Sequence, residues 1–445
     1  MKMKRLVVIM MFLILFGLSF TAQSNAEVAD SPKPYSGDFW SRSTLTGDWG
    51  GIRNDWAAKG ITFDIDLTQT AQSVVLGGKD IGWEYGGRGD ITFNLDTQKL
   101  GLWPGGFFTV EVEGNYGKSV NPDTGAIMAV NTNQLFPTTG DTQVNIPEVS
   151  FTQFLSHYFG VAIGKFDTTS GDANEFAHGK GDKQFMNLAL NFNPAVLLTV
   201  PYSALGAAII ILPTKDPNEA IINLMYLDSN GKADDAGFDT VLEGNNTYAI
   251  EGRVRTNFFG MTGHQVVGAT YSSKNFTSLD QSLRLIVESR AIQQEDNSWS
   301  IHYNFDQYIY EPKKGQGIGI FGRFGASDGD ANPIHHFYSI GVGGKGVIPG
   351  RKLDEFGIGF YYIDISNPKF TGLLQRTRSF LRDEDGVEAY YNFAITPWMQ
   401  LTPDIQIIGP AQKDVLDIDR TTLIASKKKS IDTTTVIGLR LRMVF

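Results

Sequence analysis

Strict two-residue alternation of apolar and polar side chains, repeated over segments of about ten residues, is the feature that most restricts what this chain can fold into. Ile61, Phe63, Ile65 and Leu67 alternate with Thr62, Asp64, Asp66 and Thr68, and Ile91, Phe93 and Leu95 with Thr92, Asn94 and Asp96. Phe108, Val110 and Val112 interleave with Thr109, Glu111 and Glu113, and Tyr248, Ile250 and Val254 with Glu251, Arg253 and Arg255. Trp299 to Asp306, Phe356 to Tyr362, Val387 to Ile395 and Met399 to Ile407 repeat the pattern, with Gly-, Asn-, Asp- and Pro-rich stretches between. A strand of this kind has one apolar face and one that is polar or glycine. With 49 glycines in 445 residues, a helical bundle is excluded. The longest apolar stretch, Ala195 to Leu212, is cut by Pro201 and Gly206, so no helix is expected to span a membrane.

A soluble β-sandwich shows the same alternation, and three features favour a barrel in lipid instead. Aromatics such as Tyr308, Tyr310, Trp398, Tyr361 and Tyr362 fall near strand ends, as interfacial girdles do, on segments approaching the ~9–11 residues of a tilted spanning strand. The polar faces carry Glu111, Glu113, Arg253 and Arg255, which need water beside them. Finally, Ile437, Leu439, Leu441, Met443 and the terminal Phe445 occupy alternate positions, resembling the last strand of bacterial outer-membrane barrels. An open sheet edge in hydrocarbon leaves backbone groups unpaired at several kcal/mol each, so the expectation is an all-β, closed antiparallel barrel. About 26 residues per strand fits sixteen strands, and eighteen also fit. A barrel of that size encloses an aqueous channel.

Residues 1–26 read as a secretory signal: Lys2, Lys4 and Arg5 precede an apolar run from Leu6 to Phe20, and Ser24-Asn25-Ala26 offers a small-x-small cleavage site. Residues 27–44 form a short N-terminal segment and 45–445 the barrel. The net charge of −10 argues against a nucleic-acid partner. The absence of cysteine removes thiolate zinc sites and thiol nucleophiles. Asp228, Asp234, Asp235, Asp239 and Glu243 read as a solvated loop without calcium-loop spacing. His335 and His336, adjacent on a strand, are expected to point in opposite directions and offer no convergent metal ligands. No nucleophile elbow, phosphate loop or dinucleotide fingerprint occurs, so the chain is read as no enzyme and as needing no cofactor.

Longer motifs carry a family likeness. Leu45-Thr46-Gly47-Asp48-Trp49-Gly50-Gly51-Ile52-Arg53 with Lys59-Gly60-Ile61, Gly252 to Phe259, Glu388-Ala389-Tyr390-Tyr391 and Thr396 to Gln406 together resemble the carbohydrate-selective porin family, porin B type. The likeness runs from about Leu45 to Phe445. It implies a sixteen-stranded barrel in the bacterial outer membrane that passes mono- or short oligosaccharides by facilitated diffusion. Lipid of that membrane, the barrel-assembly machinery acting on the Phe445 strand, and a homotrimer are the expected partners, with a monomer left open. In the opening motif, Asp48 is expected to cap a short helix from Trp49 to Lys59, ended by Gly60 in the left-handed conformation, at the barrel mouth or partly in the lumen.

Sugars present paired hydroxyls and weakly apolar ring faces, so a selective constriction needs carboxylates, guanidiniums and aromatic rings pointing inward. The candidates are Trp83, Glu84 and Arg88 before the strand at Asp90, Glu111 and Glu113, Arg253 and Arg255, and Arg440 and Arg442 on the last strand. The Arg88-Gly89-Asp90 triplet opens a strand and is not read as an adhesion motif. Arg88→Ala or Glu113→Ala is expected to alter selectivity with folding intact. The alternatives are a general or anion-selective porin, and a secreted all-β binding or hydrolytic protein.

Overall fold

The computed structural model describes residues 35–137, 143–169, 173–241, 243–279, 281–282, 294–366, 370–371, 381–418 and 425–445; the predicted signal peptide lies outside them. Among the described residues, sixteen antiparallel strands close into one barrel. They are β1 (Ile61–Leu76), β2 (Gly82–Asp96), β3 (Gly106–Gly117), β4 (Gln143–Ser156), β5 (Phe159–Asp167), β6 (Ser203–Ile211), β7 (Ala220–Asp228) and β8 (Asn246–Phe258). The second half is β9 (Met261–Ser272), β10 (Ser298–Lys313), β11 (Gln316–Ser327), β12 (Ile334–Lys345), β13 (Glu355–Ile365), β14 (Glu384–Thr396), β15 (Met399–Gly409) and β16 (Thr434–Val444). β1 pairs with β16 from Asp66↔Val444 to Leu76↔Thr435, which closes the cylinder and removes both sheet edges.

Connections on the side of the termini are short. Phe259 and Gly260, both at positive φ, form a two-residue turn between β8 and β9 whose twist matches the flanking strands. The longer connections, from β3 to β4 and from β5 to β6 (loops 118–142 and 168–202, described over 118–137 and over 168–169 and 173–202), begin at the other end. The expected alternation holds on the exterior: Tyr248, Ile250 and Val254 are about half exposed, while Glu251, Arg253 and Arg255 take the inward positions between them. Trp83, Tyr85, Tyr248, Tyr271 and Tyr338 form an outward belt near the long loops, and Phe107, Tyr158, Phe258 and Tyr310 another near the short turns.

The lumen face departs from the expected polar lining. Tyr308, Phe321, Phe337, Tyr361 and Tyr390 point inward and are buried, forming a core with Phe176, Phe185, Leu188 and Leu190 of loop 168–202. Tyr308 and Tyr361 are therefore not girdle residues. Inward glycines make room for the loop: a Cβ on Gly319 would lie 2.2 Å from the Phe176 ring, and one on Gly357 would lie 2.7 Å from that of Phe185.

The N-terminal helix, α1 (Ile52–Ala58), is shorter than expected. Gly51, at φ 95°, is its N-cap, and the Asp48 carboxylate instead accepts from Ser36 Oγ at 2.7 Å and Gly50 N at 3.2 Å. Gly60 has the left-handed φ that was expected. Trp49 and Trp56 pack on Phe63, itself 4.9 Å from Phe93 on the same outward face, so α1 lies against the outside of the rim, not in the lumen. Arg53 ties this corner to the end of the chain by donating to the carbonyls of Phe445 (2.7 Å) and Phe63 (2.6 Å).

Candidate functional site

Between β5 and β6, residues 173–202 of loop 168–202 cross the lumen, and inward residues of distant strands hold them. Asn174 donates to Asn304 at 2.7 Å on β10, and the Tyr308 hydroxyl donates to Glu175 at 2.9 Å. Arg323 of β11 binds the carbonyls of Ala177 and Leu190, the second at 2.9 Å. On β14, the Glu388 carboxylate accepts the backbone N–H groups of Met186 and Asn187. Arg440 of β16 donates to the carbonyls of Gly181 (2.7 Å), Lys183 (2.6 Å) and Gln184 (2.9 Å). The bonds from Arg323, Glu388 and Arg440 satisfy backbone groups that a loop in the barrel interior would otherwise leave unpaired. Loop 118–142 docks similarly: Ile127 and Met128 donate to Glu384, and the carbonyl of Ala129 accepts from Leu188 N at 2.9 Å.

At the loop's turning point, Lys180 is flanked by Gly179 and Gly181 and adopts φ 44°. Its ammonium contacts Asp167, Glu113 (2.8 Å) and Glu111 (3.4 Å), and the Tyr202 hydroxyl donates to Glu113 from the other side. Burial alone disfavours the ammonium, but the carboxylates of Asp167, Glu113 and Glu111 outweigh it and hold its pKa above the ordinary lysine value. Asp182 is raised by burial, yet Lys183, Arg442, Arg88 and Arg440 together hold it below the usual carboxylate range. Arg88 pairs with Asp90 at 2.9 Å, and Arg442 contacts Asp66 and lies 3.8 Å from Asp182.

Thus Arg88, Glu111, Glu113, Arg440 and Arg442 come together along one wall, as parts of the network that positions loop 168–202. Arg88, Glu113 and Arg440 are buried to 3% exposure or less, so they present almost no surface to a solute. Deleting Arg88 or Glu113 would strand buried partner charges, so the effect on selectivity expected from either change would come with a disturbed seating of loop 168–202. Trp83 is a second correction: it is 63% exposed on the outward face beside Tyr85 and belongs to the aromatic belt. Glu84 takes the inward position near the long-loop mouth, apart from this network. Arg255 sits near the opposite rim, paired with Glu219 at 2.8 Å.

Open space remains between the loop and the wall from β4 to β10, a cavity of about 400 Å³. Glu148, Asp167 and Thr168 line one side and Glu251, Arg253, His302 and Asn304 the other. His302 Nε2 lies 3.0 Å from Glu251, and Arg253 donates to the carbonyl of Pro217 at 2.9 Å. Phe166, Phe192, Ile221 and Met225 supply apolar surface between the two polar groups. Of the sequence candidates only Arg253 lines this space. Lys180, Asp167, Glu148 and Asn193 were missed, because their roles depend on where the loop lands. The one sequence signal was the Gly-Lys-Gly-Asp run at 179–182, a glycine-hinged charge cluster.

The paired imidazoles give a further correction. His335 is the extra residue of a β-bulge, since Ile334 pairs with Ile365 and His336 with Asp364. The bulge turns both rings to one side, with centroids 4.0 Å apart, and both Nδ1 atoms face Asp364 Oδ2, at 3.5 Å and 3.1 Å.

A closed sixteen-stranded barrel with an apolar exterior, aromatic belts and a loop narrowing its interior is a porin of the bacterial outer membrane. A family model described as carbohydrate-selective porin, OprB family, matches residues 82–445, and the chain belongs to that family. The high-pH structure of Pseudomonas putida OprB superposes with a TM-score of 0.75 at 19% identity, covering 92% of this chain and 100% of that one. The low-pH structure of the same protein gives a TM-score of 0.55 at 15% identity, covering 91% and 99%. Porin AaxA of Chlamydia pneumoniae is 24% identical over 274 residues, 60% of this chain, and the match spans 55% of that porin's length.

Proposed function

We propose that this chain passes mono- or short oligosaccharides across the outer membrane by facilitated diffusion, selecting them where loop 168–202 faces the β7–β10 wall. The observation that carries this reading is the cavity's make-up: carboxylates and a guanidinium on opposite sides, with apolar side chains between them. Hydroxyl pairs engage the charged groups, and the ring face lies on Phe166, Phe192 and Met225. Glu148, Asp167 and Glu251 outnumber Arg253 there, which does not favour an anion-selective channel.

Liposome swelling with neutral sugars and with amino acids of equal size tests the reading, and equal rates would remove the sugar claim. Arg253→Ala is expected to weaken sugar-induced current block by about tenfold, the loss of one charge-assisted hydrogen bond of ~1.5 kcal/mol. Trp83→Ala, on the outer face, is expected to leave the block unchanged.

Export by the signal at 1–26 and insertion by the barrel-assembly machinery through the strand ending in Phe445 complete the proposal. A homotrimer packed through the low wall of β5, β6 and β7, nine residues each, is the assembly it favours. Outward small and apolar residues there, among them Ala207, Ile209 and Leu224, line a groove of about 900 Å³ that a second copy would fill.

A further inference from the structure

We propose that His335, His336 and Asp364 form a binding site for a divalent first-row transition metal on the outer rim of the barrel. The three residues come from the loop-side ends of β12 and β13, joined at the bulge. A metal held at ~2.0–2.2 Å by imidazole nitrogen and carboxylate oxygen sets its ligand atoms roughly 2.9–3.5 Å apart. The Asp364 Oδ2 to Nδ1 separations of 3.1 Å and 3.5 Å fall in that range, and all three candidate ligand atoms lie within 4.8 Å of one another. All three side chains are partly exposed, at 35–44%, so an ion can reach them and water can fill its remaining positions.

The surroundings favour a cation. Asp383 adds a second carboxylate close by, accepting at 2.6 Å from the hydroxyl of Tyr362, two residues before Asp364. Among the described residues, Asp364 is the carboxylate in contact with either imidazole. The His336 ring lies parallel to that of Tyr338, at 17° and 6.5 Å, which limits its rotation. Two imidazoles and one carboxylate select Zn²⁺, Cu²⁺ or Ni²⁺ over Mg²⁺ and Ca²⁺, which prefer all-oxygen shells. Binding through Nδ1 places the remaining ring proton of each histidine on Nε2, away from the ion. The bound ion would clip β12 to β13 where the bulge interrupts their hydrogen-bond ladder.

The test uses the untagged full-length protein in detergent, stripped with chelator and titrated with ZnCl₂ by calorimetry. One Zn²⁺ per chain is expected, with affinity falling at least about tenfold in both His336→Ala and Asp364→Asn and unchanged in His157→Ala. Cu²⁺ loaded at one equivalent should show two coordinated nitrogens by electron paramagnetic resonance. Heat-modifiable migration on gels checks that each variant is a folded barrel, and Asp364→Asn keeps the side-chain volume if a histidine variant does not fold. Absence of saturable Zn²⁺ binding to the wild type would overturn the proposal. So would equal affinity in the rim variants, or a copper spectrum with fewer than two nitrogens.

Discussion

Arg440→Ala is expected to enlarge the single-channel conductance and to reduce discrimination among solutes of different size. The guanidinium is almost fully buried and holds three consecutive-region carbonyls, of Gly181, Lys183 and Gln184, besides lying 3.3 Å from Thr402 Oγ1. Hydrogen bonds to a charged group contribute about 1.5–3 kcal/mol each, and losing several together leaves loop carbonyls unpaired in the barrel interior. The barrel strands pair without the loop, so the wall should persist while segment 180–184 detaches. Detachment also carries Lys180 away from Asp167, Glu111 and Glu113, so cation selectivity should rise as these carboxylates become exposed. Planar-bilayer recordings with a series of neutral solutes read both effects. Conductance and size cut-off identical to wild type would show that the other anchors, Arg323 and Glu388, suffice.

Leu441→Arg is expected to block assembly. Leu441 takes an outward position on β16, paired in register with Gln69 of β1 and Leu401 of β15, so its side chain faces hydrocarbon at the seam that closes the barrel. A lipid-facing arginine costs about 2–4 kcal/mol at the midplane and less toward either interface. The neighbouring inward positions 440 and 442 already carry arginines, and the difference between adjacent residues of identical chemistry is solely the face they occupy. The fraction of heat-modifiable protein in outer-membrane preparations measures the effect, with Leu441→Ile as the volume-conserving control. A normal amount of folded Leu441→Arg would contradict the assignment of that face to lipid. Loss of Phe445 in the same assay tests the proposed role of the terminal strand in insertion.

Much of the barrel was legible because its signal is local. Alternation at period two assigns each residue of β1, β2, β8, β14 and β16 to a face, and closure follows from the cost of open edges in lipid. Expectations failed where a residue's environment is set by something far away in the chain. Tyr308 and Tyr361 lie near strand ends as girdle aromatics do, yet strand parity puts each on the inward face, where loop residues far away in the sequence bury it from the channel water. Trp83 erred the other way: its cluster with Glu84 and Arg88 suggested a shared site, but adjacent strand positions face opposite sides. His335 and His336 failed the same parity rule in reverse, since a single inserted residue at a bulge cancels it.

From the chain alone came the faces of many strands, the closed cylinder, the terminal strand and the family likeness, consequences of short-range periodicity and contiguous motifs, while sixteen strands rather than eighteen was settled by the closed sheet itself. The path of loop 168–202, and with it the position of Lys180, the burial of Arg88, Glu113 and Arg440, and the cavity lined by Arg253, was decided only in three dimensions. The physical reason is that these contacts join residues separated by tens to hundreds of positions, and their energies depend on which partner satisfies each buried charge or carbonyl. No periodicity along the sequence records that pairing.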